Sequence, residues 1–329
     1  MDAVLAAHCN FGTEDAVGKV CSALGKPVLL WGPRDEGPNA DGIRPRDTQC
    51  GLFATGKLLR RLGLPFTYIV NSSVEDEVFT RGLDVFLRAV NVARCVRGAR
   101  IGQVDTRPGP FTSVICNEGE LMERFGIEIV PTDLGSITAD ALGRRESDEV
   151  TADMQSIRDR MEVVIDDDEF RLVVALKMAL RDWVARMRVD AVAFQCWSAL
   201  QAQLGVCSCF VHGEMTELGV PVACETDVNG AVTAIALQAA SMGDGPVFFA
   251  DLTIRHPEDD NAELLWHCGP FPLSLAHPDS SPALAGHYMQ PGEPPAVGMW
   301  RLKDGPITIG RFDGDNGEYS LCLLYTSDA

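Results

Sequence analysis

The chain has 329 residues, of which 46% are apolar and 23% are charged, proportions typical of a soluble globular enzyme. Lys and Arg total 28 against 47 Asp and Glu, and the resulting net charge of −19 argues against a nucleic-acid partner. No apolar stretch approaches the roughly 18 residues that cross a bilayer, and the first residues lack the basic region of a secretion signal. We therefore expect a cytoplasmic protein with no membrane partner, whose 11 cysteines are reduced.

Residues 1–95 alternate strand-like and helix-like patterns with short connections. Strand patterns fall at residues 2–7, 27–31 and 66–70, and helix patterns fall at residues 14–24 and 53–61. Strands that alternate with helices in this way favour a parallel sheet. We predict an N-terminal α/β domain over this stretch.

Residues 96–243 repeat this style and predict a second α/β domain. Strand patterns fall at residues 100–104, 127–130, 191–194 and 221–224, and helix patterns fall at residues 118–125, 166–188 and 230–240. Acidic residues occupy positions 166–169, at the start of the long helix, where negative charge complements the helix dipole.

Residues 244–329 change in character. Strand patterns at residues 247–254 and 307–312 alternate with turns rich in Pro and Gly, and no helix pattern remains. These features predict an antiparallel β domain. The expected fold class is therefore α/β, with two parallel-sheet αβα domains followed by an antiparallel β domain.

Glu225 ends the predicted strand at residues 221–224 and precedes a helix. Ligand sites in open α/β sheets lie beyond the carboxyl ends of the strands, so Glu225 is well placed for function. A solvated strand-end carboxylate is the alternative. We interpret Asp227 and Asn229, in the same turn, as helix caps.

Two further polar residues interrupt apolar segments. Asp251 falls inside the predicted strand at residues 247–254, where an acidic side chain is costly to bury unless it is paired or binds a metal; exposure on an edge strand is the alternative. His267 lies in an apolar run before a turn, where a structural histidine is the alternative. Together with Glu225 they make an O/O/N ligand set, which suits Mn²⁺, Mg²⁺ or Co²⁺ better than structural zinc.

The cysteines give weaker evidence for metal binding than Glu225, Asp251 and His267 do. Cys207 and Cys209 form the one close pair, but their spacing and the lack of a second pair argue against a zinc site. Cys268, beside His267, is a further candidate ligand, although we favour a packed thiol at that position.

Three stretches carry a family resemblance: residues 225–230, 249–251 and 267–269. In their order along the chain and in their residues they resemble the L-fucose isomerase family and, more distantly, L-arabinose isomerase. In that family a strand-end Glu followed by Asn-Gly, an Asp in a Phe-Ala-Asp strand, and a His followed by Gly bind Mn²⁺. The resemblance implies that Glu225, Asp251 and His267 bind Mn²⁺, or another divalent cation such as Mg²⁺ or Co²⁺.

Residues 194–197 correspond to a place where the family has a Gln that touches substrate hydroxyls. The resemblance thus assigns substrate binding to Gln195 and its neighbour Trp197, with packing at a strand end as the alternative. The interval between Asp251 and His267 is much shorter than in the long fucose isomerases, so the chain resembles a short branch. Against the family's domain plan it starts late and its β domain stops early, so we expect a fragment.

The reaction that the resemblance implies converts an unphosphorylated aldose to a ketose through an enediolate. Glu225 and Asp251 would carry protons as well as bind the metal, while His267 would only hold the metal. The expected partners are a monosaccharide and further copies of the chain, in a homo-oligomer. Two alternatives remain: a sugar-binding protein without catalysis, and a different carbohydrate-active enzyme on the same scaffold.

Overall fold

A computed structural model describes residues 1–287, 292 and 294–326. The chain divides into two compact units, Met1–Arg94 and Cys95–Ala329. Strands β1, β2 and β3 of the first unit are Val4–Ala7, Val28–Trp31 and Phe66–Tyr68. Its helices α1 and α2 are Glu14–Leu24 and Thr48–Arg61, and helix α3, Glu77–Val96, ends the unit.

The first unit is a parallel three-stranded sheet with helices on both faces. β2 is the central strand, and its side chains alternate between two separate clusters. Val28 and Leu30 pack with Cys21 of α1, whereas Leu29 packs with Phe86 of α3. A central strand that is apolar on both faces is what a parallel sheet covered by helices requires.

The second unit contains the remaining elements. Strands β4 to β8 are Arg100–Val104, Glu128–Thr132, Glu162–Val163, Ala191–Phe194 and Val222–Ala223. Helices α4 to α10 are Glu118–Phe125, Leu134–Arg144, Asp148–Arg158, Asp167–Met187, Ala199–Leu204, Cys209–Glu217 and Val228–Ser241. Strands β9 to β14 are Asp251–Arg255, Glu263–Trp266, Ala283–Ala285, Val297–Met299, Thr308–Asp315 and Glu318–Tyr325.

A four-stranded parallel sheet in the order β5-β4-β7-β8 organises the second unit. In β7, Val192 and Phe194 belong to the larger core cluster, to which α5, α6, α7 and α9 contribute. Ala191 and Ala193 face the other way, toward a smaller cluster with α4 and α10. The sheet is thus buried on both faces, as predicted for an αβα layer.

The segments after α10 form short antiparallel pairs. β9 pairs with β10, β13 pairs with β14, and β12 pairs with β11, which in turn pairs in parallel with β6. The predicted fold class, parallel-sheet α/β followed by antiparallel strands, is confirmed. The boundary drawn at residue 244 stays a prediction.

The predicted strand at residues 247–254 begins too early. Residues 247–250 have no strand geometry, and β9 begins only at Asp251. Among the described residues, none of the helices combines the length and the apolarity needed to cross a bilayer.

Candidate active site at the carboxyl edge of the sheet

The candidate site lies where β7 and β8 end. These strands are parallel neighbours, so the residues that leave them emerge side by side at one edge of the sheet. Gln195 and Cys196 follow β7, and Cys224 and Glu225 follow β8. This edge is where open α/β sheets bind ligands.

Glu225 sits on a sharp backbone bend between β8 and α10. Its φ of 56° and that of Thr226, 59°, are both left-handed, a conformation that costs roughly 1–2 kcal/mol for a residue with a Cβ. Two consecutive non-glycine residues in this region are uncommon, and such strain persists where the surrounding structure enforces it. Asp227, the residue after Thr226, stabilises this bend. Its carboxylate accepts a hydrogen bond from the first turn of α10 and forms an ion pair with Arg311.

The two residues predicted as caps have different roles. Asp227 Oδ1 accepts a hydrogen bond of 2.9 Å from the Gly230 amide, so its capping role is confirmed. Asn229 lies inside α10, and its Nδ2 donates to Asp313 Oδ1 at 2.8 Å, so its predicted capping role is wrong. A Cβ at Gly230 would approach Asp227 Oδ2 to 2.6 Å and the Phe249 ring to 2.9 Å. Glycine is therefore required there for close packing of α10.

The Glu225 carboxyl has a strongly perturbed pKa. Desolvation raises it from 4.5 to about 7, with further upward contributions from Cys268 and Asp251. His267 and a hydrogen bond from Cys196 act in the opposite direction. A carboxyl with a pKa near neutrality can both accept and release a proton at physiological pH.

His267 is buried, with 6% of its surface exposed. Its ring centroid lies 5.5 Å from that of Phe249. Nδ1 lies 2.9 Å from the Cys268 amide nitrogen and 3.1 Å from Cys268 Sγ. The Cys268 amide N–H donates to Nδ1, so a neutral ring in this arrangement carries its proton on Nε2, and a metal could bind Nε2 only once that proton has left.

The turn after His267 depends on Gly269. Its φ is 95°, and a Cβ there would approach the Gly298 carbonyl oxygen to 2.4 Å. Conformation and close packing therefore both require glycine, which explains the Gly in the His-Cys-Gly stretch.

Asp251 is brought near His267 by strand pairing. It begins β9 and lies opposite Trp266, the residue before His267. Its side chain is exposed, so the expectation of a buried acid inside an apolar strand is wrong, and the edge-strand alternative describes the structure. The carboxylate nevertheless contributes to the raised pKa of Glu225, which places it within electrostatic range of the site.

Gln195 and Trp197 occupy the same sheet edge. Gln195 is 8% exposed, and its Oε1 has no hydrogen-bond partner among the described residues. Its backbone amide donates to the Val104 carbonyl at 3.1 Å, which fixes its position next to β4. Trp197 is 42% exposed, and its ring packs edge-to-face against Phe111 at 5.6 Å. Substrate binding by Gln195 and Trp197 stays a prediction.

Sequence reasoning missed the thiols beside Glu225. The Cys196 thiol points to Glu225 Oε1, with the sulfur 3.7 Å from the oxygen, and Cys224 Sγ lies 3.3 Å from His212 Nδ1. His212 is fully buried, and desolvation lowers its pKa to about 3. Because Cys196 and Cys224 lie within two residues of the ends of adjacent strands, the strand-end argument that singled out Glu225 applies to them as well.

A second pair of thiols lies behind His267. Cys209 Sγ and Cys268 Sγ are 3.2 Å apart, and the pKa of Cys268 is lowered by the contacts of its sulfur with Cys209 and His267. Cys207, also buried, has its sulfur 3.1 Å from the Pro294 carbonyl. All three are thiols rather than disulfides; Cys207 and Cys209 are buried, and Cys268 is partly exposed.

The charges around Glu225 fit a hard divalent cation. Its carboxyl is desolvated and repelled by both Asp251 and Cys268, and a bound cation would relieve that repulsion. Two carboxylates and an imidazole are a donor set for Mn²⁺, Mg²⁺ or Co²⁺. Within the described part of the chain, however, the ligand atoms that lie within 4.8 Å of one another are those of Cys196, Cys224 and Glu225, and Asp251 and His267 lie outside that group. The predicted metal triad therefore stays a prediction.

Comparison with known proteins finds a family match in the N-terminal part of the chain. Residues 1–100 match the family model described as Fucose/sulfoquinovose isomerase, N-terminal domain. The chain is thus similar to fucose and sulfoquinovose isomerases. The predicted resemblance to this family is confirmed, and the roles assigned to residues 225–230, 249–251 and 267–269 stay predictions.

The chain is similar to sulfoquinovose isomerases along most of its length. The enzyme of Priestia megaterium is 25% identical over 328 residues, which cover 98% of this chain and 71% of that enzyme. That of Alkalicoccus urumqiensis is 25% identical over 333 residues, covering 100% and 72%, respectively. That of a Clostridium species is 26% identical over 266 residues, covering 79% and 58%. The similarity thus extends through both compact units.

Proposed function

We propose that this chain is a metal-dependent aldose–ketose isomerase that acts on a free, unphosphorylated sugar. A sugar isomerase is the class that the family and the relatives support. The structural observation that carries the proposal is Glu225, a desolvated carboxyl with a pKa of about 7 at the ligand edge of the sheet. Its electrostatic neighbours Asp251 and His267 complete the set of residues.

Proton transfer between C2 and C1 of the sugar is the central step of such a reaction. The ideal catalytic pKa lies near the working pH, because the group must be both ionised and basic. Glu225 meets this condition, so we assign it removal of the C2 proton and its delivery to C1. Asp251, which is exposed, would manage the proton of the sugar hydroxyl.

Glu225, Asp251 and His267 would also hold the divalent ion, with Mn²⁺ as the first candidate and Mg²⁺ or Co²⁺ as alternatives. When bound, the ion would supply Lewis-acid polarisation of the sugar carbonyl. His267 carries no proton in this scheme and serves only to hold the ion.

Gln195 and Trp197 are proposed to bind the sugar. The unpartnered Oε1 of Gln195 can accept a hydrogen bond from a hydroxyl, which removes the cost of leaving a buried oxygen unpaired. The exposed Trp197 ring offers an apolar face to the C–H side of a pyranose. Sulfoquinovose is the first substrate to test because the relatives are sulfoquinovose isomerases, and neutral aldoses are the comparison set.

The test is a sugar panel in deuterium oxide. Purified protein with added Mn²⁺ is incubated with sulfoquinovose and with neutral aldoses, and the products are followed by chromatography and by deuterium incorporation at C1 of the ketose. We expect a ketose product, and activity that chelation abolishes and Mn²⁺ restores. Activity that survives exhaustive chelation would contradict the metal requirement.

Variants assign the roles of the residues. Glu225→Gln and Asp251→Asn should each lower kcat by ~10²–10⁴-fold, the usual contribution of general acid–base catalysis. Glu149→Gln, at an exposed position on α6, is the control and should keep full activity. His267→Ala should weaken metal binding, with part of the activity restored by high Mn²⁺. Full activity in the Glu225→Gln/Asp251→Asn double variant would mean that the residues are wrongly assigned.

A further inference from the structure

The group of potential ligands around Glu225 differs in chemistry from the predicted metal triad. Cys196 Sγ, Cys224 Sγ and a Glu225 carboxylate oxygen all lie within 4.8 Å of one another. Both cysteines are buried, with 5% and 0% of their surfaces exposed. Thiolate sulfur is a soft ligand that selects Zn²⁺ and similar ions, whereas Mn²⁺ and Mg²⁺ prefer oxygen.

The separations of these atoms suit one tetrahedral ion. Zinc bonds of about 2.3 Å to sulfur and about 2.0 Å to carboxylate oxygen imply S···O separations of about 3.5 Å and S···S separations of about 3.8 Å. Cys196 Sγ lies 3.7 Å from Glu225 Oε1, close to that ideal value. The other two separations are at most 4.8 Å, so the S···S separation exceeds its ideal value by no more than about 1 Å and the second S···O separation by no more than about 1.3 Å.

The surroundings of Cys224 supply a supporting partner. His212 Nδ1 lies 3.3 Å from Cys224 Sγ, and the ring is fully buried. A neutral imidazole with its proton on Nδ1 donates to the sulfur, and hydrogen bonds of this kind stabilise and orient a metal-bound ligand. The backbone supports the site too, because Cys196 and Cys224 follow paired strands and Glu225 is locked in the bend.

We propose that Cys196, Cys224 and Glu225 form a binding site for one thiophilic divalent cation, such as Zn²⁺ or Cd²⁺. On binding, each of the two thiols releases its proton to solvent, Glu225 releases its proton where it is still protonated, and the ion takes two sulfur ligands and one carboxylate oxygen. Water or a neighbouring side chain completes the tetrahedral shell.

The site has a consequence that rests on the proposed isomerase function. Glu225 cannot be a ligand of a soft ion held by Cys196 and Cys224 and, at the same time, a ligand of Mn²⁺ held with Asp251 and His267. Zn²⁺ or Cd²⁺ should therefore inhibit the isomerase by occupying its carboxylate, in competition with Mn²⁺. The site makes the enzyme sensitive to the ratio of soft to hard cations.

Binding is tested without any activity measurement. The full chain, reduced with a phosphine, is titrated with Co²⁺ and Cd²⁺, and thiolate-to-metal charge-transfer absorption and proton release are recorded. At a pH well above the pKa of Glu225, about 7, where this carboxyl is already ionised, we expect one equivalent of metal and two released protons. Cys196→Ser and Cys224→Ser should each lower the affinity for Cd²⁺ by more than about 10-fold, the effect expected even from losing a supporting partner of a metal ligand.

Two controls separate this site from other thiols. Cys21→Ser replaces a buried cysteine of the first unit, and Cys209→Ser removes one member of the neighbouring Cys209/Cys268 pair. Both should keep the absorption band and the stoichiometry. A band that survives in the Cys196→Ser/Cys224→Ser double variant would overturn the proposal, as would its absence from the wild-type chain.

X-ray absorption of the Zn²⁺-loaded wild-type chain avoids variants that fail to fold. Two sulfur neighbours at about 2.3 Å with oxygen or nitrogen neighbours support the site, and none, three or four sulfur neighbours refute it. If the band and the absorption spectrum appear but no sugar is isomerised, the metal site stands and the proposed function fails. If the chain isomerises sugars but shows neither signal, the function stands and this site fails.

Discussion

Replacing Glu225 by Gln tests the desolvated carboxyl through stability alone. Gln has nearly the same shape, so it keeps the packing and the left-handed backbone while removing the ionisable group. Burial raises the pKa of Glu225 in the folded chain from 4.5 to about 7. The folded state therefore holds this proton more tightly than the unfolded state does. Its contribution to stability is fully present below about pH 4.5 and is lost as the pH rises through about 7.

The size of the effect follows from the pKa. Each pH unit corresponds to ~1.4 kcal/mol, so raising the pKa from 4.5 to about 7 corresponds to up to about 3 kcal/mol. The metal-free wild-type chain should lose up to that much stability, relative to Glu225→Gln, between pH 4.5 and pH 8. The difference between the two proteins isolates this group, because most other titrations are common to both.

The assay is urea denaturation with a chelator present, followed by tryptophan fluorescence at several pH values. Glu149→Gln, at an exposed position, should track the wild type throughout. At pH 8, Mn²⁺ at about 100 times its Kd should stabilise the wild type by about 2.7 kcal/mol and Glu225→Gln by much less. Parallel stability–pH curves for wild type and Glu225→Gln would refute the assignment of a raised pKa to this carboxyl.

Three further predictions concern the frame of the site and the assembly. Gly269→Ala should destabilise the chain by ~1–3 kcal/mol more than Gly243→Ala in thermal unfolding. The two glycines have nearly the same φ, 95° and 94°, so backbone strain is matched, and only Gly269 is closely packed. Equal losses of stability would exclude the steric explanation. Asp227→Ala should cost about 3 kcal/mol in urea denaturation, since it removes a cap and a mostly buried ion pair, whereas Asp133→Ala removes only an exposed cap worth about 1 kcal/mol. Sedimentation should show a mass well above the monomer value of 35.6 kDa, and an active monomer would contradict the predicted homo-oligomer.

Sequence periodicity located many of the elements that position the site. Strands β4 and β7 and helix α4 fall at the predicted residues, and the start of α7 is capped by Asp166 with Glu169 in a capping box. These segments carry local signals, namely apolar runs of strand length and caps with acidic first turns. Helix α3 was not predicted, although Phe79, Phe86 and Val90 line one of its faces.

The C-terminal strands were harder to predict because they depend on distant partners. β6 and β11 are two and three residues long and gain their geometry from each other. A strand this short carries no periodic signal of its own. The start of β9 at Asp251 similarly follows from pairing with β10, so the apolar residues before it did not mark the strand.

The candidate site also contains some residues that local sequence identifies and others that only strand pairing brings together. Glu225 was predictable because a carboxylate at a strand end has a chemical interpretation by itself. The thiols Cys196 and Cys224 look unrelated in sequence, and only the pairing of β7 with β8 brings them together. The raised pKa of Glu225 also depends on burial by distant residues, which no local pattern reports.

The pairing of β6 with β11 sets an order of events on the ribosome. Glu162 and Val163 cannot find their parallel partners until Ala283 and Leu284 have left the exit tunnel. At synthesis rates of about 5–20 residues per second, residues 162–163 remain unpaired for several seconds, until residues 283–284 have been synthesised. An exposed strand edge can pair with other chains, so a chaperone that shields nascent polypeptides should raise the yield of this protein more than slower synthesis does.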